Sequence, residues 1–374
     1  MLQAALLVLA LAGQSPEWEI DTGYLPMSSA LLADNGHGSM DIFIAMGDHG
    51  LGGWDGAGQW LSGFPVASEN GVSKRPAAFS NSMTGSVVVF ADNAGYVHMV
   101  DHSGNEQPGW PVFIGPGIVT GVSVVDLNSD LMPEIAFGTA DSRVHLLDIN
   151  GNPVSGWPVE LSSKLQWQPS QLSLGGNAGY GLVCALVTTQ IYVLSGSGDV
   201  LPGWPINTGY ACGSIPVTGD IDADGLGDII FSTYNDRIYA VNSSGCGISG
   251  WPFFLDDRSS RGSIAIGHID PDLSGLQIAV SSLDGDVSLI NGSGSLAGTW
   301  RWPNVTVGIP TSPIICRTGS GLGVVAACDS GYVYAWNAEG KSVSGFPINL
   351  NQPISRPPAA GDIDGDGAQE LVVL

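Results

Sequence analysis

Short runs in which apolar residues alternate with polar or aromatic ones recur along the chain. One of them is Arg237-Ile238-Tyr239-Ala240-Val241, which combines period-two patterning with β-branched and aromatic residues. Both features are typical of β-strands. The equivalent runs are 96–100, 143–147, 190–194 and 332–336. Beyond the first twelve residues we find no capped apolar pattern of period 3.6, so the sequence predicts an all-β protein.

These runs belong to a repeated unit that a Trp-Pro or Phe-Pro pair marks. Consecutive pairs are separated by 46, 47, 47, 47, 51 and 44 residues. A fixed period of this size indicates a solenoid or a propeller. The pairs are Phe64-Pro65, Trp110-Pro111, Trp157-Pro158, Trp204-Pro205, Trp251-Pro252, Trp302-Pro303 and Phe346-Pro347.

Each repeat has room for four strands. The alternating run is followed by a glycine turn, where a positive φ is expected, and then by the Gly-Trp-Pro segment. Because proline cannot donate to a strand ladder, this last strand is expected at a sheet edge. Two earlier strands, such as 214–218 and 228–232, flank an acid-rich loop, and four up-and-down strands make a propeller blade. The turn glycines are Gly104, Gly151, Gly198, Gly245, Gly294 and Gly340.

Both ends of the chain contain parts of one further repeat. Residues 17–24 match 203–210, and residues 355–374 supply two inner strands. We therefore expect one β-propeller domain over residues 13–374, with four-stranded antiparallel blades. Eight blades are expected, the closing blade being shared by both termini and lacking its third strand. Seven blades are the alternative.

Three of the acid-rich loops share an alternating carboxylate pattern that closes on an acidic residue at position 9. Hard Ca²⁺ prefers six to eight oxygen ligands. Carboxylates at positions 1, 3 and 5, the carbonyl at position 7 and the acid at position 9 could supply them, although Asp, Asn and Gly are also ordinary turn formers. The expected ligands are Asp220, Asp222, Asp224, Leu226 and Asp228; Asp362, Asp364, Asp366, Ala368 and Glu370; and Asp126, Asn128, Asp130, Met132 and Glu134.

Other repeats carry a degraded or a replaced loop. His268-x-Asp270-x-Asp272 lacks the glycine and has a shifted closing residue, and the loop at 34–38 is one residue short. Three further repeats have Gly, Ser and Asn turns at 81–85, 175–179 and 317–323. Because some blades dispense with the acidic loop, we expect the ion to stabilise a loop rather than to perform chemistry.

Three features together resemble the FG-GAP/VCBS repeats of integrin-α-type β-propellers. They are Gly-Asp-Ile-Asp-Gly-Asp-Gly at 361–367, the Glu-Leu-Val-Val that follows it, and the Gly-Trp-Pro strand. The resemblance covers essentially the whole chain after residue 12. It implies about three Ca²⁺ sites, in loops that join the first and second strands of a blade, with the acidic residues named above as ligands. The third-blade copy departs from the pattern, because Leu131 replaces the glycine that Gly225 and Gly367 retain. The resemblance also implies a place among other domains of a surface or sorted protein, and a binding or adhesion role.

Charge and the N-terminal sequence indicate where the protein acts. The 374-residue chain has 11 Lys and Arg against 35 Asp and Glu, a formal charge of −24, which excludes the basic footprint of a nucleic-acid binder. Residues 1–12, MLQAALLVLALA, resemble a secretory signal peptide that ends in an A-x-A site, and are too short to span a bilayer. A buried N-terminal strand is the alternative. We expect a secreted or cell-surface protein without a membrane span.

No established catalytic motif stands in a proper context. His98 and His145 occupy the third-strand place that tyrosines hold in other repeats, which favours a packing role. We therefore expect a non-catalytic module that binds an extracellular protein or carbohydrate. A propeller-type polysaccharide lyase and a structural spacer of a larger surface protein are the alternatives.

Basic and aromatic residues gather in the segments that lead from one blade into the next. On a propeller these segments open on the face opposite the acidic loops, so they could form a rim that recognises carboxylates or sugars. Polar loops that merely carry the available charge are the alternative. The candidate ligand-binding residues are Arg75, Lys164, Trp167, Tyr210, Arg258, Arg261 and Arg356, with Lys74 beside them.

Overall fold

A computed structural model describes most of the chain, and almost all of its regular structure is antiparallel β-strand. In this part of the chain the one helix is a single 3₁₀ turn, Gly176–Ala178, and no helix has the length and hydrophobicity needed to cross a membrane. The described residues are 5–10, 18–22, 24–68, 70–81, 85–115, 117–255, 264–282, 285–301, 311–319 and 321–374.

The chain divides into two compact units. Unit 1 comprises Met1–Val125, Met132–Gln168 and Ala359–Leu374, and unit 2 comprises Asp126–Leu131 and Pro169–Pro358.

The described strands of unit 1 form four sheets, ordered β2-β1-β31-β30, β3-β4-β5, β6-β7-β8-β9 and β10-β11-β12-β13. Every paired neighbour is antiparallel. The strands are β1 Ala5–Ala10, β2 Trp18–Asp21, β3 Leu31–Asp34, β4 Met40–Ala45, β5 Leu51–Trp54, β6 Ala77–Asn81, β7 Gly85–Ala91, β8 Tyr96–Asp101, β9 Val112–Phe113, β10 Ser123–Val125, β11 Glu134–Gly138, β12 Arg143–Leu147, β13 Val159–Glu160, β30 Ala359–Gly361 and β31 Glu370–Val373.

Unit 2 contains four more sheets in its described part, each with four strands in chain order: β14 to β17, β18 to β21, β22 to β25 and β26 to β29. The strands are β14 Ser170–Ser173, β15 Tyr180–Ala185, β16 Gln190–Leu194, β17 Ile206–Asn207, β18 Val217–Gly219, β19 Asp228–Thr233, β20 Arg237–Asn242, β21 Phe253–Phe254, β22 Ala265–Gly267, β23 Gln277–Ser281, β24 Asp286–Ile290, β25 Leu296–Arg301, β26 Ile314–Arg317, β27 Leu322–Ala327, β28 Tyr332–Asn337 and β29 Ile348–Asn349.

Four-stranded antiparallel sheets in up-and-down order are the blades of a β-propeller, as the sequence predicts. Seven of the eight described sheets have four strands, and seven is the blade count of the alternative. The remaining sheet, β3-β4-β5, has three strands, because Val66 after Phe64-Pro65 forms an isolated bridge to Leu51 instead of a strand.

The closing sheet corrects the expectation that its third strand is missing. Strand β1 fills that position and pairs with both β2 and β31. Leu6 and Val8 of β1 are 0% and 1% exposed and pack with Ile42, Trp54 and Val372. The structure thus shows the N-terminal segment as a buried strand, the alternative to a signal peptide. Whether residues 1–12 are removed as a leader stays a prediction.

The last strands lie at the sheet edges, as the proline argument predicts. In five sheets the edge strand has two residues and starts directly after the Pro of the pair. The sheet of β22 to β25 differs, because its edge strand Leu296–Arg301 ends before Trp302. Trp302-Pro303 itself lies outside the described residues. The predicted turn glycines all have positive φ, from 72° at Gly294 to 87° at Gly198.

The Gly-Trp-Pro segment also joins its sheet to the turn of the next sheet. The indole N–H of Trp251 donates to the carbonyl of Gly292, 2.9 Å away in the turn of the next sheet. Trp204 donates in the same way to Ser243, 3.0 Å away. A Cβ on the preceding Gly250 would lie 1.9 Å from the Ser293 carbonyl oxygen. Glycine therefore allows the close approach and tryptophan fixes it with a hydrogen bond. Unit 1 repeats the bond from Trp18 to Gly56 and from Trp110 to Ile149.

We expect Trp251→Phe to lower the free energy of unfolding by about 1 kcal/mol, because the indole hydrogen bond to Gly292 is lost while the ring stays. Phenylalanine occupies the equivalent place at Phe64 and Phe346, so the ring itself is tolerated. Urea unfolding measures the change. Trp60→Phe is the control, since Trp60 is 44% exposed. An equal loss in both variants would contradict the role of the hydrogen bond.

Candidate metal centre

The acidic loop between β18 and β19 is shaped by its own carboxylates. Asp220 accepts hydrogen bonds from the backbone N–H of Asp224 at 3.1 Å and of Gly225 at 2.9 Å. Asp224 in turn accepts from the N–H of Leu226 at 2.8 Å. Gly225 has φ 85°, a left-handed conformation that favours glycine. The sequence pattern thus produces a tight loop with its acidic side chains gathered inside.

The loop between β30 and β31 repeats this arrangement. Asp362 accepts from the N–H of Gly365 at 2.8 Å and of Gly367 at 3.0 Å, and Asp366 accepts from the N–H of Ala368 at 2.7 Å. Gly367 has φ 89°. Two loops that are far apart in the sequence therefore fold alike, as their shared spacing predicts.

Each of these two loops brings three carboxylates together. One oxygen from each of Asp220, Asp222 and Asp228 lies within 4.8 Å of the others. Asp362, Asp364 and Glu370 form the equivalent group, with one oxygen from each within 4.8 Å of the others. The predicted ligands Asp224 and Asp366 do not belong to these groups, and each accepts the backbone N–H of the residue at position 7. Three like charges at this spacing repel one another strongly unless a cation or a proton lies between them.

The closing carboxylate is the most constrained group of the loop. Asp228 is 0% exposed, and its Oδ2 accepts the N–H of Ile221 at 3.0 Å. Its Oδ1 is buried without a hydrogen-bond partner in the described part of the chain. Burial, followed by the carboxylates of Asp222, Asp224 and Asp220, raises the pKa of Asp228 to about 7. A buried, unpartnered carboxylate oxygen that faces other carboxylates is suited to ligate a cation.

Glu370 has the same place in the closing sheet. It is 3% exposed, and its Oε2 accepts the N–H of Ile363 at 2.8 Å. In both loops the residue at position 2, Ile221 or Ile363, is fully buried. The closing acid therefore ties the start of the loop to the start of the second strand.

The loop at Asp126 shares two internal hydrogen bonds with the other two loops. Asp126 Oδ2 accepts the N–H of Leu131 at 3.1 Å, and Asn128 Oδ1 accepts the N–H of Asp130 at 2.9 Å. Leu131, which replaces glycine, has φ 65°, so it adopts the glycine-like conformation despite its side chain. The predicted closing residue, Glu134, is buried at the start of β11, and Met132 is 48% exposed.

The degraded loop at His268 closes without a carboxylate, a solution that the sequence reasoning missed. Gln277 takes the closing position and is 0% exposed. Its Oε1 accepts the N–H of Ile269 at 2.7 Å and of Asp270 at 2.9 Å, and its Nε2 donates to the Gly275 carbonyl at 3.0 Å. The amide Nε2 of Gln277 is thus a hydrogen-bond donor at the closing position, where the acidic loops have a carboxylate beside the proposed cation. A glutamine at the start of the second strand was the available signal.

The acidic loops also contact the following sheet. A Cβ on Gly292 would lie 1.7 Å from the carbonyl oxygen of Ile221, and a Cβ on Gly275 would lie 2.0 Å from it. Gly56 stands in the same relation to Ile363, at 2.1 Å. Because the loop backbone passes this closely, its conformation is coupled to the turn of the next sheet.

The structure describes only some of the residues predicted to form the basic rim. Arg258 and Arg261 lie outside the described residues. Arg75 and Lys164 are exposed, Lys74, Trp167 and Arg356 are half-buried, and Tyr210 is 52% exposed. Arg75 belongs to unit 1 and Arg356 to unit 2. Their convergence on one face stays a prediction.

The third-strand histidines pack against aromatic rings, as the sequence suggests. His98 stacks on Phe90 at 4.6 Å between ring centroids, and His145 stacks on Phe137 at 5.1 Å. His98 also contacts Glu106, with 2.5 Å between Nδ1 and Oε1. Burial lowers the pKa of His145. Tyr239 stacks on Phe231 in the equivalent place, which assigns the position a packing role.

Comparison with known proteins defines the fold and nothing finer. No protein-family profile matches the chain, and no curated protein matches its sequence. Among solved structures, BamB from Moraxella catarrhalis is similar with a TM-score of 0.56 and 15% identity over 95% of each chain. Sqt1 from Saccharomyces cerevisiae has a TM-score of 0.63 and 13% identity over 93% of this chain and 96% of its own.

A third similar structure is BBS1N, solved in complex with ARL6DN. It has a TM-score of 0.54 and 14% identity over 81% of this chain and 92% of its own. Identities this low show a shared fold and not a shared function. The chain is therefore an all-β protein with the β-propeller fold.

Proposed function

We propose that this protein is an extracellular, calcium-stabilised β-propeller that acts as a non-catalytic module for binding a protein or carbohydrate ligand. The observation that carries the calcium assignment is the position of Asp228. Its Oδ1 is buried without a hydrogen-bond partner among the described residues, and one of its oxygens lies within 4.8 Å of an oxygen from each of Asp220 and Asp222. The ligands are the three sets named above, which close on Asp228, Glu370 and Glu134.

Calcium is the cation that fits this chemistry. All predicted ligands are oxygen atoms of carboxylates, one amide and backbone carbonyls, and Ca²⁺ accepts such sets in flexible geometry. Neither cysteine nor histidine belongs to the two carboxylate groups described above. The FG-GAP/VCBS-like spacing gives the same assignment. When bound, the ion would neutralise the repulsion within the loop and so stabilise the folded chain.

A non-catalytic role is supported by how the titratable groups are used. The carboxylates of the repeated loops hold backbone N–H groups and surround the proposed ions. His98 and His145 stack on phenylalanine rings in the sheets. These groups are engaged in structure, and a propeller that presents loops on a stable scaffold is suited to binding.

A protein ligand is supported by the fold. BBS1N, which shares the fold, was solved in complex with ARL6DN. The extracellular location is part of the proposal and is supported by the formal charge of −24 and by the FG-GAP/VCBS-like spacing of the acidic loops.

Replacing Asp228 tests the calcium assignment. In wild-type protein we expect calcium to raise the melting temperature, since an ion at 100 times its Kd adds about 2.7 kcal/mol to folding. Asp228→Asn should lose the contribution of one site and show a smaller calcium-dependent rise in differential scanning calorimetry. Asp148→Asn is the matched control, because Asp148 caps a turn in the way that Asn242 does.

Two outcomes would contradict the proposal. An equal melting temperature in calcium and in chelator would remove the calcium sites. Cleavage of an acidic polysaccharide with formation of an unsaturated sugar would replace the non-catalytic role with that of a lyase.

A further inference from the structure

A polar cleft of about 490 Å³ lies in unit 2, between the sheet of β18 to β21 and that of β22 to β25. Its size is within the range of small-ligand sites. It opens beside the acidic loop, since Ile221 and Asp222 form part of its wall. The other lining residues are Asn242, Gly247, Ile248, Ser249, Leu273, Ser274, Asn291, Gly292 and Ser293.

The two asparagines of the cleft cap turns with one end of the side chain. Asn242 Oδ1 accepts the N–H of Ser244 at 3.1 Å and of Cys246 at 3.0 Å. Asn291 Oδ1 accepts the N–H of Ser295 at 2.9 Å. Their Nδ2 groups have no hydrogen-bond partner among the described residues, so each amide has two donors available to the cleft.

The turns do not need these amides. Aspartate has the same position at Asp101, where Oδ1 accepts the N–H of Ser103 at 2.8 Å and of Asn105 at 2.9 Å. Asp148 makes the equivalent pair of bonds. Asn337 lies outside the cleft, and its Nδ2 donates a hydrogen bond to Glu339 Oε2 at 2.5 Å. Among the described asparagines at this turn position, the two without a partner for Nδ2 are the two that line the cleft.

The composition of the wall defines the class of ligand. Among the described residues that line the cleft there is no lysine, arginine or histidine, and Asp222 contributes a carboxylate, so an anion is disfavoured. Amide donors, a carboxylate acceptor and the hydroxyls of Ser249 and Ser274 suit a molecule whose groups both donate and accept. Ile248 and Leu273 offer apolar contacts. A hydroxyl-rich, uncharged molecule with a C–H face has these properties.

We propose that this cleft binds a neutral saccharide unit. Sugar hydroxyls accept from the Nδ2 groups of Asn242 and Asn291 and donate to Asp222, while the C–H face of the ring lies against Ile248 and Leu273. The inference rests on the proposed binding function and assigns a class of ligand to one cleft of the protein.

Saturation-transfer NMR on the full chain tests the proposal with D-glucose, D-galactose, D-mannose and N-acetyl-D-glucosamine as probes. We expect at least one of them to bind and D-glucuronate to bind more weakly. The double variant Asn242→Asp/Asn291→Asp keeps both turn caps and should lose at least tenfold in affinity. Asn337→Asp should bind as wild type does. Ser274→Phe, which fills the cleft from an exposed position, is a second variant expected to abolish binding.

The proposal is overturned if none of the four neutral sugars gives saturation transfer, if glucuronate binds as well as they do, or if both cleft variants bind as wild type does. The proposed binding function is tested separately. If calcium stabilises the chain and a protein ligand binds while no sugar does, the cleft assignment alone fails.

Discussion

Gly292→Ala is expected to lower the free energy of unfolding by about 3 kcal/mol, because a well-packed interface cannot absorb the added carbon. The new Cβ would lie 1.7 Å from the carbonyl oxygen of Ile221, so the acidic loop or the turn of the next sheet must shift. The shift also disturbs the hydrogen bond from Trp251 to the Gly292 carbonyl. Urea unfolding of the purified full chain measures the loss.

Gly247→Ala is the matched control for this substitution. Gly247 belongs to the turn of the preceding sheet, has no positive φ, and has no atom within 4 Å of an added Cβ. We expect its stability to stay within about 0.5 kcal/mol of wild type or to rise slightly, since alanine restricts the unfolded chain. Equal stability of the two variants would contradict the close contact between the acidic loop and the next sheet.

Leu6→Asp is expected to destabilise the full chain by about 4 kcal/mol, because a charged side chain replaces a fully buried apolar one. Leu6 is 0% exposed and packs in the closing sheet, where β1 pairs with β2 and β31. The measurement is thermal and urea unfolding of the intact chain. Leu25→Asp, at a position 63% exposed in the same unit, serves as the control and should change little.

The same substitution separates the two interpretations of the N-terminal segment. If β1 is part of the working fold, intact-mass spectrometry of the mature protein finds residues 5–10 and Leu6→Asp is unstable. The opposite result is that the Leu6→Asp variant yields a mature protein that starts after Ala12 and has the same melting temperature as the mature wild-type protein. That result would contradict the role of β1 as a strand of the closing sheet.

The blade and the acidic loop could be predicted because both depend on residues close together in sequence. Period-two alternation defines the strands, and the spacing from Asp220 to Asp228 is enough to form the loop by hydrogen bonds to its own backbone. The resemblance between the loops at Asp220 and Asp362 is therefore visible in sequence and in structure alike.

Contacts between sheets could not be predicted, because they join residues that are far apart in sequence, 41 positions for Trp251 and Gly292 and 71 for Ile221 and Gly292. The indole bond from Trp251 to Gly292 and the approach of Ile221 to the same glycine depend on how consecutive sheets stack. The amide closure by Gln277 was hidden because its position is shifted by one residue from that of Asp228. Strand β1 could be given only as the alternative to a signal peptide, since an apolar run of this length is compatible with a leader and with a buried strand.

The central claim is that the acidic loops hold calcium, and counting the ions tests it most directly. Equilibrium dialysis of the full chain against calcium, followed by elemental analysis, should give about three ions per chain at saturation, one for each acidic loop of the sequence. Asp228→Asn should lower the count by one, and Asp148→Asn should leave it unchanged. A wild-type chain that binds no calcium above the buffer would contradict the account.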